Sequence, residues 1–447
     1  MKNKNLIKLT SLLGVLTMAG CSLPWSERFY QIDPQGQYAI GSQTTVTAEM
    51  PENFSGTQKA PEENMIPGDA ELNALNNASL NIFYNTIEYG DGVENILISP
   101  ASLAFALSIT ENGAGGNTLS QMEEHVNGGI SMDDMNALLN YLSYKLNNSE
   151  EVSWGVANSL WFNDNGDCEI EDDFLKKAIE YYDAEVYKQV FDPSTANDIN
   201  NWVYNKTNHM IEKVITDFSS DAMLFIVNAI AFEGEWQEEY EDSQILENRE
   251  FINADKSTKK CTMLSSAEGR YFTLGEGKGF IKPYKGGEYS FVGILPEYGM
   301  TTEEYIKSLV DNEEDFSEAI RNAEYGDVYV TMPEFALDYT NEEMTEVYRQ
   351  MGMDLPFDHD DADLKGIFTN DSDSMVWIDK IIHKTHIEVD RKGTRAAAVT
   401  VVEVDKCTAV ELVEEPVIIT LDRPFVYAIV DNETGIPVFL GCLNNLK

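Results

Sequence analysis

The clearest alternation of small and charged side chains lies near the C-terminus, in residues 394–405. With the period of two that a β-strand imposes, one face carries only threonine, alanine and valine, and every charge falls on the other face. The first face is therefore suited to burial inside a sheet. Residues 406–420 lack this pattern, because a cysteine, Pro416 and acidic side chains interrupt the aliphatic ones. We expect an exposed loop there, attached to a strand that can lie outside the sheet in one state and inside it in another.

The hydrophobic pattern of the rest of the chain predicts both helices and buried strands. Residues 70–87 have the helical spacing of apolar side chains. Residues 95–98 read as a buried strand that leads into a helix, with Ser99 as the N-cap of that helix. The glycine-rich segment 112–118 ends the helix and lacks the lysine of a phosphate-binding loop. Residues 224–236 are apolar enough for an interior strand.

The first residues predict export. Lysines precede an apolar run, residues 9–18, that is too short to span a bilayer, which indicates a signal peptide in residues 1–20. Residues 18–21 resemble a bacterial lipobox, in which the cysteine, here Cys21, is lipidated and becomes the new N-terminus. The alternative is an ordinary secretory signal with an incidental cysteine. In both cases we expect an extracellular or cell-surface protein, in the first case lipid-anchored to the bacterial membrane.

Residues 21–68 predict a flexible tether, because Gly, Pro, Ser, Thr, Gln and Glu are frequent and the apolar residues show no period. Residues 69–447 contain no second break of this kind. We therefore expect one large domain there, in spite of its length.

The charge of the chain limits its partners. The formal net charge is −46, and it becomes −49 once residues 1–20 and their three lysines are removed. Such acidity argues against nucleic acid and against adhesion to an anionic membrane, so attachment to a membrane depends on a lipid at Cys21. The four cysteines beyond Cys21 lack the spacing of a zinc site, and a chain of this length needs no obligatory disulfide. We expect a monomer without cofactor or metal.

Several motifs, in order along the chain, resemble those of the serpin family. Ser99, Pro100 and Ser102 open a helix that ends in the Gly-Ala-x-Gly-x-Thr pattern of residues 113–118. The later matches are residues 157–161, 200–211, 224–236, 283–284, 294–296, 328–333, 361–367, 383–384 and 423–425. No single match is specific, but together they cover essentially the whole domain. The chain is thus identified as resembling a bacterial serpin of the inhibitory type.

The resemblance implies an α+β fold with about nine helices and three β-sheets. A large central sheet A would accept the reactive-centre loop, here about residues 391–420, as an extra strand. The resemblance also implies an inhibitor and not an enzyme. A serine protease cleaves the loop and forms an acyl-enzyme, and the freed loop then inserts into the sheet and traps the protease in a covalent complex.

The resemblance assigns parts of the loop. The hinge consists of six residues: Gly393, Thr394, Arg395, Ala396, Ala397 and Ala398. Family spacing from the hinge glycine places the reactive bond between Cys407 and Thr408. The small and aliphatic residues around this bond favour an elastase- or subtilisin-like protease. Lys406 is the runner-up, and cleavage after it would indicate a trypsin-like target.

Four polar residues, Ser99, Ser102, Asn228 and His383, lie in strongly apolar sequence and must find partners if buried. On the residues alone, a lone histidine in such surroundings is more often a satisfied core residue than a catalyst. The resemblance implies that these residues form a hydrogen-bonded cluster beneath the point where the sheet opens. It also implies that Trp236 is a plug near the top of that opening.

Two charges are inverted relative to the family pattern. Glu334 stands where the family usually has a lysine, and Arg391 stands where it usually has an acid. We expect Glu334 and Arg391 to form an ion pair that closes the top of the sheet and contributes no more than about 1 kcal/mol.

Three alternatives remain open. A non-inhibitory serpin that acts as a binding or carrier protein usually has bulky or charged hinge residues, unlike this chain. A solute-binding lipoprotein would fit the tether and the acidity, but the repeated βαβ pattern of two lobes is missing. An enzyme with a metal at residues 358–361 is a weak hypothesis, because alternating acids on a loop are usually only solvated.

Overall fold

The computed structural model describes residues 58–61, 66–90, 92–164, 169–192, 194–211, 213–216, 222–369, 376–394 and 416–446. The chain separates into two units, residues 1–44 and 45–447, and the described residues all belong to the second. The predicted signal peptide, Cys21, most of the tether, residues 395–398 of the hinge and the predicted reactive bond lie outside the described residues.

Nine α-helices are described: α1 (Asp69–Tyr89), α2 (Pro100–Glu111), α3 (Gly116–His125), α4 (Met132–Asn147), α5 (Asp172–Tyr182), α6 (Thr195–Lys206), α7 (Thr302–Asp311), α8 (Phe316–Arg321) and α9 (Met344–Gln350). Helix α1 begins at the predicted start of the domain. The N-cap predicted for α2 is confirmed, because Ser99 Oγ accepts a hydrogen bond from Ser102 N at 3.2 Å. No helix in the described ranges is long and apolar enough to cross a membrane.

The described strands are β1 (Ile96–Ile98), β2 (Ser153–Asn163), β3 (Ala184–Gln189), β4 (Leu224–Glu235), β5 (Ile245–Ile252), β6 (Thr258–Leu274), β7 (Gly277–Pro283), β8 (Tyr289–Pro296), β9 (Glu324–Pro333), β10 (Phe335–Asn341), β11 (His383–Val389), β12 (Gly393–Thr394), β13 (Val417–Thr420), β14 (Phe425–Asp431) and β15 (Pro437–Leu443). Helices and strands are mixed along the chain, so the α+β fold class is confirmed.

These strands form two hydrogen-bonded sheets, where three had been expected. The six-stranded sheet has the order β10-β11-β12-β4-β2-β3. The nine-stranded sheet has the order β1-β15-β14-β8-β7-β6-β9-β13, with β5 paired to β6. The two smaller sheets that the resemblance implies are joined into one here. The reason is that β6 is 17 residues long and pairs with β5, β7 and β9.

Two hydrophobic cores hold these layers together. The large core joins one face of the six-stranded sheet to the nine-stranded sheet and to helices such as α1, α2 and α4. The small core packs Ile199 and Trp202 of α6, together with Ile215, against Trp161 of β2 and Ala229 of β4. Helix α6 and the segment after it therefore cover the other face of the six-stranded sheet.

The last residues of the predicted tether contact the domain. Lys59 N donates to Glu180 O at 2.9 Å, and Lys59 O accepts from Asn140 Nδ2 at 3.0 Å. Residues 58–61, which belong to the predicted tether, thus bind the domain through backbone polar groups, and such binding needs no hydrophobic period.

Candidate functional site

The described part of the hinge is a short strand inside the six-stranded sheet. Gly393 and Thr394 of β12 pair antiparallel with Glu235 and Gly234 of β4. On its other side, β12 pairs antiparallel with β11 through Thr394 and Val389. The first two hinge residues thus lie between β4 and β11, which makes the six-stranded sheet the one into which a longer strand could extend.

The turn that leads from β11 into β12 is fixed by its own hydrogen bonds. Asp390 N donates to Gly393 O at 3.0 Å, and Asp390 Oδ1 accepts from Lys392 N at 2.7 Å and from Gly393 N at 3.2 Å. This is the local bonding that makes aspartate a frequent turn residue. Asp390 was not among the predicted site residues, although the Asp-x-x-Gly spacing is a usable signal.

The small size of Gly393 and the hydroxyl of Thr394 hold the hinge in the sheet. A Cβ on Gly393 would lie 2.2 Å from Gly234 O, so only glycine allows this approach of the two backbones. Thr394 is 2% exposed, as predicted for its face of the strand. Its Oγ1 lies 2.6 Å from the hydroxyl oxygen of buried Tyr284. Burial raises the pKa of Tyr284 above its usual range, which keeps this hydroxyl neutral.

The four predicted cluster residues lie together beneath the six-stranded sheet, where α2 begins. Ser99 N donates to His383 Nε2 at 3.0 Å, and Ser102 Oγ donates to Asn228 Oδ1 in a short hydrogen bond. The network continues through Asn158, which the sequence reasoning missed. Asn228 Nδ2 donates to Asn158 Oδ1 at 2.7 Å, and Asn158 Nδ2 donates to Tyr182 O at 2.7 Å. Asn158 could have been found as a buried amide in the middle of a largely apolar strand.

Trp236 lies at the hinge end of the seam between β4 and β11, apart from the polar cluster. Its backbone N donates to Lys392 O and its Nε1 to Asp390 O, both at 2.9 Å. The indole is fully buried and stacks on Tyr284, with ring centres 4.8 Å apart. The residue predicted as a plug thus binds the turn before the hinge directly.

The predicted ion pair between Glu334 and Arg391 is wrong, because Arg391 has a different partner. The guanidinium of Arg391 instead pairs with exposed Asp242, with 3.3 Å between Nη1 and Oδ1. Burial raises the pKa of the Glu334 carboxyl, and the charge of Arg391 together with its backbone N–H partly opposes that effect. The charge of Arg391 therefore still acts on Glu334, although the ion pair of its guanidinium is with Asp242.

The remaining predicted residues, Arg395, Ala396, Ala397, Ala398, Lys406, Cys407 and Thr408, lie outside the described residues. At the acidic segment 358–361, Asp358 Oδ1 accepts from the backbone N atoms of Asp360 and Asp361 at 2.8 and 3.0 Å. That carboxylate therefore stabilises its own turn.

His383 gives the cluster a pH dependence. Burial lowers the pKa of His383 to about 4 from its ordinary value of 6.5, and Nε2 must be unprotonated to accept from Ser99 N. Between pH 6.5 and 4 the unfolded chain therefore binds a proton that the folded protein does not. Stability from this group is complete above pH 6.5, falls by about 1.4 kcal/mol per pH unit below it and levels off below pH 4.

We expect His383→Gln to remove this part of the acid sensitivity. A glutamine amide oxygen can accept from Ser99 N but does not titrate. The measurement is the free energy of unfolding by denaturant at pH 7, 6, 5 and 4, taken as the difference between variant and wild type. His359→Gln, at an exposed histidine, is the matched control. If the difference in unfolding free energy between His383→Gln and wild type did not change with pH, the role assigned to the buried imidazole would be wrong.

Comparisons with known proteins agree with this architecture. The family model described as Serpin (serine protease inhibitor) matches residues 73–446. An uncharacterized serpin-like protein of Methanosarcina acetivorans is 27% identical over 383 residues, which are 83% of this chain and 87% of that protein. Human neuroserpin is 27% identical over 387 residues, 82% of this chain and 90% of that protein.

Among solved structures, the native state of the thermophilic serpin tengpin is 36% identical, with a TM-score of 0.77 over 87% of this chain and 97% of that chain. The latent state of tengpin is 35% identical, with a TM-score of 0.73 over 85% of this chain and 99% of that chain. The family match covers residues 73–446, nearly all of the predicted domain 69–447. The chain therefore belongs to the serpin family of serine protease inhibitors.

Proposed function

We propose that this serpin is a suicide inhibitor of a serine protease. The protease cleaves the loop and is held as an acyl-enzyme. The freed loop then extends β12 along the seam between β4 and β11 and displaces the protease before the ester is hydrolysed. The observation that carries the proposal is the position of Gly393 and Thr394, which already form the first pairs of that additional strand.

The register at the hinge defines how insertion would proceed. Each further loop residue would meet the preceding residue of β4, so residues 393–404 would match the 12 residues of β4 one to one. Two of these pairs already exist, so insertion would add ten ladder positions, which at a net value of about 1 kcal/mol each amount to on the order of 10 kcal/mol. This is comparable with the 5 to about 15 kcal/mol that stabilises a typical domain, which is enough to compete with a bound protease.

The same register gives Thr400 a partner. Counted from Thr394, it would stand opposite Asn228 on β4 and opposite His383 on β11. Thr400 belongs to the face that alternation assigns to burial, and its hydroxyl would enter the polar cluster. This accounts for a hydroxyl in the middle of a face whose next two members are valines.

The target proposed for the inhibitor is an elastase- or subtilisin-like protease that cleaves between Cys407 and Thr408. The experiment mixes the purified domain with elastase-, subtilisin- and trypsin-like proteases. A covalent adduct on a denaturing gel and a released C-terminal peptide of the expected mass support the proposal, and the peptide identifies the bond. Cleavage by every protease without an adduct would indicate a non-inhibitory serpin instead.

We expect Thr394→Arg to convert the inhibitor into a substrate. The arginine could stay outside the sheet in the uncleaved protein, but extension of β12 would bury its charge beside Tyr284, which opposes insertion by several kcal/mol. The measurement is the ratio of cleaved inhibitor to covalent adduct. Arg395→Glu, a charge change on the opposite face by strand alternation, should leave the adduct intact. A full yield of covalent adduct from Thr394→Arg would contradict the insertion scheme.

We expect Thr400→Val to weaken the inserted state selectively. The valine has the same shape but leaves cluster groups without the proposed partner, at a cost of about 1 kcal/mol. Unfolding by denaturant should show a smaller stability gain on loop cleavage for Thr400→Val than for wild type, while the uncleaved proteins are alike. Thr400→Ser, which keeps the hydroxyl, should behave like wild type. Equal gains for the valine and serine variants would argue against the register.

The proposed location is the outer surface of a bacterial membrane, with a lipid on Cys21 as the anchor. We expect Cys21→Ser to leave the protein in the soluble fraction of the cell envelope or medium and to abolish labelling by a fatty acid. Wild-type protein that is soluble and unlabelled would favour an ordinary secretory signal.

A further inference from the structure

A buried ion pair lies behind the turn that precedes the hinge. Lys282 of β7 and Glu268 of β6 place Nζ and Oε1 2.9 Å apart, with side chains that are only 3% and 7% exposed. Ser266 Oγ also donates to Glu268 Oε1, at 2.6 Å. Such a pair adds little net stability, because the loss of solvation offsets the attraction between the charges. Stability alone therefore does not explain why two charges are buried here.

The ammonium group of Lys282 faces two aromatic rings. Its Nζ lies 4.5 Å from the ring centre of Tyr240 and 5.3 Å from that of Trp236. Both rings are buried, and the attraction of a cation to a ring face is strongest where water is excluded. Because Glu268 binds the same ammonium group, the charge stays beside the two rings and restrains where they lie.

The same two aromatic residues bind the turn between β11 and the hinge. Trp236 donates to the carbonyls of Lys392 and Asp390, as described above. Tyr240 N donates to Arg391 O at 3.1 Å. All three consecutive carbonyls, from Asp390 to Lys392, are thus bound by residues whose rings contact the Lys282 ammonium.

We propose that Lys282, with Glu268 as its counter-ion, is a positioning residue for the hinge. The ammonium holds the rings of Trp236 and Tyr240, and these residues hold the turn that keeps Gly393 and Thr394 between β4 and β11. Without the charge, the rings and their N–H groups shift and the hinge leaves the sheet more often. The effect on the hinge stands by itself, whereas the effect on inhibition rests on the function proposed above.

The test removes the two charges together, because a single substitution would leave the other charge buried and unpaired. The double variant is Lys282→Met with Glu268→Gln, which keeps the volume nearly unchanged. The matched control is Lys307→Met with Asp311→Asn on α7, where the paired side chains are 50% and 59% exposed. If the methionine version does not fold, Lys282→Gln with Glu268→Gln gives the same comparison with two neutral amides.

Hydrogen exchange at the amides of Trp236 and Tyr240 is the decisive measurement, because these two groups bind the turn. We expect exchange at both to be about three- to thirtyfold faster in the buried variant, with no change on β14 or in the control. Wild-type exchange rates at both amides would overturn the proposal. Faster exchange throughout the molecule would also overturn it, since the pair would then support the fold as a whole.

Inhibition supplies a second readout. With a protease that wild type traps, the buried variant should consume about three- to thirtyfold more inhibitor molecules per adduct formed. An unchanged ratio would contradict the link between the ion pair and insertion. If wild type forms no adduct with any protease, the proposed function fails, and the exchange rates alone then decide on the role of Lys282.

Discussion

The structure depends on the close approach of two backbones at one end of the seam between β4 and β11. Gly393 can pair with β4 because it has no side chain to meet Gly234 O. A strand that has already begun can lengthen one residue at a time, and each step gains ladder hydrogen bonds for the residues that it orders. A strand that had to begin anew would first lose the entropy of closing a loop. In the proposed insertion, the hinge that already lies in the sheet would therefore avoid this entropic cost.

The polar cluster imposes the second constraint, because buried polar groups keep partners only in defined arrangements. The chain of hydrogen bonds from His383 through Ser99, and from Ser102 through Asn228 to Asn158, crosses under three strands of the six-stranded sheet. If β4 and β11 separated only in part, some of these buried polar groups would lose their hydrogen-bond partners. That loss costs free energy in an interior without water. This favours two discrete states, and in the inserted state proposed above the hydroxyl of Thr400 would supply a new partner.

Sequence alone predicted those features that depend on local signals. The Ser99 cap and the buried face of Thr394 follow from capping chemistry and strand alternation. The polar cluster, which joins residues as far apart as Ser99 and His383, was implied only by the resemblance to the serpin family. Local signals did not predict which groups meet across such separations. Arg391 pairs with Asp242 because of how the turn directs its side chain, and Lys282 meets Glu268 because β6 and β7 are neighbours in a sheet whose pairing is not local. The docking of Lys59 was missed because it uses backbone groups, which every sequence has.

The length of β4 connects these constraints to the choice of the scissile bond. Twelve loop residues match β4 from Glu235 to Leu224 and would span roughly 40 Å at 3.3 Å per residue. A bond before residue 404 would leave part of β4 without a partner and would stop the protease short of the far end. A bond far beyond it would leave a slack segment that lets the protease keep its shape. Cys407, chosen from family spacing, lies three residues past the end of that match. If the loop inserts as proposed, the register of the hinge thus sets a lower limit near residue 404 for the position of the cleaved bond, and a bond after Cys407 lies beyond that limit.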